Sequence, residues 1–197
     1  MFSTSSNASA TKIDASQYSV HCDTVVGTVG FAPPLSASGA ASPDVIKLKA
    51  TLGGCTVTPT AGGSAVTILS GGVTGVLHST SQNCSNLLGP SAVTGNIVTT
   101  WKTDPTTPLA VNKTTLTPGT ITGGVFTPGA PFTGTYGSFH IGGAGVSIAT
   151  GSAFAGTDGG ASSVADATTG EDAANLLTQC NKALKAIHLG IGDITLK

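Results

Sequence analysis

Arginine is absent from this 197-residue chain, and Glu171 is its single glutamate. All eight basic residues are lysine, eight of the nine acids are aspartate, and charged residues are 9% of the total. Aromatics are scarce too, at 5%, with one tryptophan and two tyrosines. Each shortage excludes something. A nucleic-acid partner calls for a basic stripe rich in Arg, and the net charge here is −1. A coiled coil needs Glu, Lys and Arg repeated along heptads. A disordered tail combines low hydrophobicity with high net charge, whereas mean hydropathy here is +0.28. No apolar run approaches the ~18–20 residues of a membrane-spanning helix.

What the chain has instead is Ser and Thr, 51 together, with 28 Gly and 10 Pro. Thr and Val are β-branched, lose rotamer freedom in helices and pack well on a pleated surface. Frequent Gly and Pro punctuate the chain into turns. The expectation is an all-β fold: an antiparallel β-sandwich, or a flattened barrel, of about 8–11 short strands. Residues 1–16 read as a flexible arm and 17–197 as one domain.

Strand signals recur along the domain. Tyr18, Val20 and Cys22 alternate with polar neighbours, and the run ends at Phe31-Ala32-Pro33-Pro34-Leu35. Ile46, Leu48, Ala50 and Leu52 alternate with Lys47, Lys49 and Thr51, as in a half-solvated strand. Gly53-Gly54 bends that strand, and Cys55 to Thr58 continues it. Residues 65–69 and 72–78 read as two strands around Ser70-Gly71-Gly72. Val93, Ile97 and Trp101, or their neighbours, are the expected inward residues of the next strand. Asp104-Pro105 starts a turn, two short strands flank Pro118-Gly119, and 132–141 and 146–148 add two more. Residues 155–170 read as loop. Thr168 and Glu171 then form a capping box for one helix at about 170–183, with Ala173, Leu176, Leu177, Cys180 and Leu184 on one face. Ile187, Leu189 and Ile191 alternate in a closing strand.

The four cysteines, Cys22, Cys55, Cys84 and Cys180, show neither CxxC nor zinc spacing. Two disulfides and an oxidising compartment are expected. Three pairings are open; Cys55–Cys84 with Cys22–Cys180 is the favoured one. No signal-peptide core is present, while Ala8-Ser9-Ala10 has the look of a signal-peptidase tail. The expectation is a secretory segment already removed; the alternative is a plain Ser/Ala arm.

Constellations that would carry chemistry are weak. There is no GxSxG elbow. His21, His78 and His140 could meet Asp23, Asp104 or Asp158 in space, but nothing in their order says so. Glu171-Asp172 is better explained by a helix N-terminus than by paired glycosidase carboxylates. Phe154 to Gly160 offers one carboxylate among glycines, too few donors for calcium, so no metal is expected. Gly142-Gly143-Ala144-Gly145 lacks the helix and Lys of a phosphate loop, and no cofactor is expected. Trp101, Tyr136 and Tyr18 are the candidate sugar-stacking residues, although Trp101 is most simply a core anchor.

Several segments together resemble a family. They are Tyr18 to Thr24, Leu52-Gly53-Gly54-Cys55-Thr56-Val57, Asn83-Cys84-Ser85-Asn86-Leu87-Leu88-Gly89, Trp101-Lys102-Thr103-Asp104 and Leu184 to Gly192. Over about residues 11–197 the chain resembles a group of secreted actinobacterial proteins with no assigned activity. The resemblance implies secretion and an all-β fold, and it offers no catalytic residue to carry over.

The functional expectation is a non-catalytic secreted or cell-envelope structural or interaction protein. It would act through a low-charge, Thr/Ser-rich β surface, by self-association or by binding an extracellular polymer. The alternatives are a carbohydrate-binding module with an exposed Trp or Tyr, and a phage or virion surface component.

Overall fold

In the computed structural model the described residues are 12, 14, 18–36, 42–59, 66–84, 90–117, 120–122, 138–141, 147–148, 152–154, 159–165 and 178–196. Most of the expected N-terminal arm and residues 170–177 of the expected helix lie outside them. Ten strands follow in order: β1 (Tyr18–Leu35), β2 (Ser42–Pro59), β3 (Ile68–Gln82), β4 (Pro90–Thr103), β5 (Lys113–Thr117), β6 (Thr120–Thr122), β7 (Ser138–Ile141), β8 (Ser147–Ile148), β9 (Gly159–Ala165) and β10 (Leu184–Leu196). All are antiparallel and belong to one sheet in the order β3-β2-β1-β10-β9-β7-β6-β4-β5-β8. Because β3 also pairs with β4, the sheet curls back on its start. It does not close along its length: β6 and β7 are joined by two residue pairs, Ile121↔Ile141 and Thr122↔His140. The fold is therefore all-β and antiparallel, as expected, and its described strands form one curled sheet that is not closed.

The first four strands are longer than expected, with β1 and β2 at 18 residues each. β1 runs on through Pro33 and Pro34, and its ladder with β2 continues to Ala32↔Val45. The expected hairpin at Ser70-Gly71-Gly72 does not exist; these residues sit inside β3. The reason is packing. A Cβ on Gly71 would lie 3.0 Å from Leu52 and 3.1 Å from the Trp101 ring. Glycine here admits the indole, and no turn is made.

Alternation sets the core. In β3, Val73 and Leu77 point in while Thr74, Val76 and His78 point out. Ile46, Ala50 and Leu52 are buried and Lys47, Lys49 and Thr51 exposed, as the pattern predicts. Val93, Ile97 and Trp101 line the inside of β4, and Ile187 and Leu189 that of β10. Each large side chain buried this way contributes about 1.5–3 kcal/mol.

Near Cys22 the inward phase switches in both strands of a pair. β1 buries Tyr18, Val20 and Cys22, then Val25; β2 buries Leu52, then turns Cys55 inward. The register is unbroken, from Cys22↔Cys55 to Thr24↔Gly53. Gly54 takes the bend at φ +60°, and the Asp23 carboxylate occupies the space a Cβ there would need.

The disulfides are Cys22–Cys55 and Cys84–Cys180. This corrects the favoured pairing of Cys55 with Cys84 and Cys22 with Cys180. Cys22 and Cys55 are directly opposed in the β1–β2 ladder, with Cα atoms 3.9 Å apart. Cys84, just after β3, instead meets Cys180 in the helical turn before β10. Two disulfides fit an oxidising compartment.

The C-terminal helix is short in the described residues, at 178–181. Ala183 in the left-handed region, at φ 74°, ends it, and Leu184 belongs to β10 rather than to the helical face. A second correction concerns 155–170: residues Gly159–Ala165 form β9, paired with β7 and β10. Gly, Ala and Ser have little strand preference of their own, so the neighbours impose the strand.

Candidate functional site

Trp101 is 2% exposed and Tyr18 is 4% exposed, both within the hydrophobic core. Neither presents a ring face to a sugar, which corrects their candidacy as stacking platforms. Tyr136 lies outside the described residues. Trp101 is the center of a buried cluster. Its Nε1–H donates to Thr114 Oγ1 at 2.8 Å, and that hydroxyl donates to the Ala153 carbonyl at 2.5 Å. Phe154, itself fully buried, meets the indole edge-to-face at 5.3 Å. Nothing in the sequence marked Thr114 or Phe154 as core, because Thr is everywhere and Phe154 sits among loop-forming residues.

The residues considered for catalysis lie on several elements, with His21 and Asp23 two positions apart on β1. His21 lies on β1 opposite Thr56, and His78 on β3 between Val45 and Thr94. Asp23 accepts a hydrogen bond from Thr24 Oγ1 at 3.2 Å. Asp104 is committed to its expected turn, where Oδ1 accepts from the Thr106 N–H at 2.8 Å and from its hydroxyl. These bonds hold its carboxyl below the usual carboxylate range. The side chain of His140, and residues Asp158, Glu171, Asp172 and 142–145, lie outside the description. Among the described residues no three His, Cys, Asp or Glu side chains gather as metal ligands, and no helix is long and apolar enough to cross a membrane.

Asp44 is the one strongly placed carboxylate in the described interior. It is 3% exposed, Oδ1 accepts the Ala32 N–H at 2.8 Å, and Oδ2 is buried without a hydrogen-bond partner. Burial pushes its pKa up, against the opposing backbone bonds from Ala32 and Val45. Protonation is thus easier in the folded state than in the unfolded chain. Above the raised folded pKa this group destabilises the protein. That penalty is relieved as pH falls through the folded pKa toward the ordinary carboxylate value. Asp44→Asn is expected to keep the bond to Ala32, lose this acid-side gain and be at least as stable at neutral pH. Asp44→Ala should lose about 1–2 kcal/mol with the acceptor gone. Thermal melts of both variants between pH 3 and 8 check this.

The outer face of the long strands carries Thr and Lys side chains, with the exposed Val26 and Val76 among them. The pairings place His188, Thr28, Lys49, Thr74, Val98 and Thr115 in one cross-strand row. The next row holds Val26, Thr51, Gly72, Thr100 and Lys113. Beside it, Gln179, Lys182, Ala183, Lys185, Ala186 and His188 line an open groove of about 380 Å³. The fold and this face define an antiparallel β protein with a hydroxyl-rich, lysine-bearing surface. The chain matches no protein-family profile, no curated protein and no solved structure.

Proposed function

We propose that this chain is a non-catalytic interaction protein of the cell envelope or extracellular space, working through the outer face of β10-β1-β2-β3-β4. One observation supports it above others: five adjacent strands present Thr and Lys outward in register, interrupted by Val26 and Val76, while most of their aliphatic residues point in. Such a face can bind many hydroxyl and amide groups without a deep pocket. The two disulfides agree with an oxidising location. Strand addition is the less favoured mode, since β1, β2 and β3 are paired on both sides along most of their length.

The test joins light scattering after size exclusion with co-sedimentation on insoluble extracellular polysaccharide. The wild type should self-associate or sediment with the polymer. A variant with Thr51→Glu, Thr74→Glu and Thr100→Glu, all exposed and on neighbouring strands, should do neither while melting near the wild-type temperature. A closed oligomer or lattice would favour the coat-component alternative. A wild type that stays monomeric and unbound overturns the proposal.

A further inference from the structure

Positive charge is sparse in this chain, yet it is gathered in one place. Lys47 and Lys49 of β2, Lys185 of β10 and Lys182 of the preceding turn are four of the eight lysines, and all are exposed. Lys182 and Lys185 line the groove with His188. The sheet carries the groove across to the other two. Gly30 of β1 sits between Ala186 and Lys47, and Thr28 between His188 and Lys49. Gly30 has no side chain to wall the groove off from β2. Two strand spacings separate β10 from β2, about 10 Å, so the cations stand in two banks with a hydroxyl-bearing floor between them.

No acid interrupts this surface along the chain. Residues 24–36, 45–59 and 178–189 contain neither Asp nor Glu. Asp44, at the start of that stretch of β2, is buried and bonded to the Ala32 N–H. Lysines on stretches of strand without acids attract an anion in solution, and the attraction weakens with salt; Asp193, the one acid of β10, stands eight residues beyond Lys185.

Resting on the reading of this face as an interaction surface, we infer that the groove and its Lys47/Lys49 bank bind a carboxylate-bearing polysaccharide. The bank spacing is close to the length of a disaccharide repeat, so carboxylates carried on alternate sugars can meet both banks. Thr28 offers a hydroxyl between the banks, and Thr51 on β2 and Thr74 on β3, across Lys49 from Thr28, extend the hydroxyl surface beyond the Lys47/Lys49 bank. A nucleic acid fits less well. The chain has no Arg for bidentate phosphate contacts, and no exposed Phe, Tyr or Trp among the described residues of this face offers a base a platform.

The test measures binding of the full chain to sodium alginate, which carries carboxylates and neither phosphate nor sulfate. Neutral dextran, polyphosphate and a single-stranded oligonucleotide are the comparators. Wild type should bind alginate best, with affinity falling as salt rises. Lys47→Ala with Lys49→Ala, or Lys182→Ala with Lys185→Ala, should each weaken binding about tenfold. Lys102→Ala with Lys113→Ala removes the same charge further round the sheet and should change it less than about threefold. The variants are all on exposed side chains, and unchanged melting curves confirm intact folds. An equal loss in the control pair overturns the inference, as does binding of polyphosphate or the oligonucleotide as tight as that of alginate. If alginate does not bind but neutral polysaccharide or self-association still depends on Thr51, Thr74 and Thr100, the groove assignment fails alone. If those interactions are missing too, the interaction reading fails with it.

Discussion

Replacing Cys84 and Cys180 together by Ala is expected to lower the melting temperature by about 10–20 °C, the larger of the two disulfide effects. The bond joins residues 96 apart in sequence, whereas Cys22–Cys55 joins residues 33 apart. If a disulfide acts chiefly by restricting the unfolded chain, loops of these sizes correspond to about 4.7 and about 3.8 kcal/mol. The two loops do not overlap, so each restricts its own part of the unfolded ensemble and their losses should nearly add. Location points the same way. Cys22 and Cys55 already face each other across a ladder that runs unbroken from Tyr18↔Pro59 to Cys22↔Cys55, and the strands hold that geometry without the bond. Cys84 and Cys180 lie outside the strands, and their bond fixes the end of β3 to the turn that launches β10. Ala is the right replacement because Cys84 and Cys180 are both buried, and a serine would bury a hydroxyl there. Calorimetry of the two double variants beside wild type decides the order. A greater loss from Cys22→Ala with Cys55→Ala would mean that the phase switch at Cys22, Asp23 and Gly54 depends on its crosslink more than chain entropy implies.

That phase switch shows where the sequence was readable and where it was not. Period-two alternation is a local property, so Lys47-Leu48-Lys49-Ala50 and Val93 to Trp101 declared their faces correctly. Asp104 declared its turn for the same reason, since the side chain bonds two residues onward. The failures are all nonlocal. Gly71 looks like a turn residue in sequence and is a packing residue in space, because Leu52 and Trp101 arrive from other strands. Pro33 and Pro34 look like a break, yet β1 persists past them because β2 supplies its ladder as far as Val45. Residues Gly159–Ala165 have loop composition and become a strand between β7 and β10. Cysteine pairing depends on which strands lie side by side, which four isolated positions do not encode. The proposed interaction face was legible as composition, in the Thr and the scarce charge. Its lysine cluster was not, because Lys47 and Lys49 meet Lys182 and Lys185 only through the β2–β1–β10 register.

Truncating Trp101 to Ala is expected to cost about 3–5 kcal/mol, comparable with losing the longer disulfide. The indole fills the space left by Gly71 and packs edge-on against Phe154. Phe154 is fully buried and sits at φ 54°, a conformation unfavourable for a bulky residue, so its ring contacts must outweigh that cost. Removing the indole opens a cavity and removes one of those contacts at once. Trp101→Phe separates the polar part from the apolar part. The smaller ring keeps much of the buried carbon surface and loses the Nε1–H. Thr114 Oγ1 is not orphaned, because it still donates to the Ala153 carbonyl. The expected cost is therefore lower, about 1–3 kcal/mol. Thr114→Val acts from the other side. It leaves the buried Nε1–H without its acceptor and the Ala153 carbonyl without that hydroxyl donor, for about 1–3 kcal/mol. Combining Trp101→Phe with Thr114→Val should cost less than the sum of the two, because the Nε1–Oγ1 bond is lost once and the buried indole donor no longer exists. Urea unfolding of the four variants and wild type, followed by far-UV circular dichroism, yields the coupling. Strict additivity would mean that the hydrogen bond contributes nothing beyond the packing of the ring.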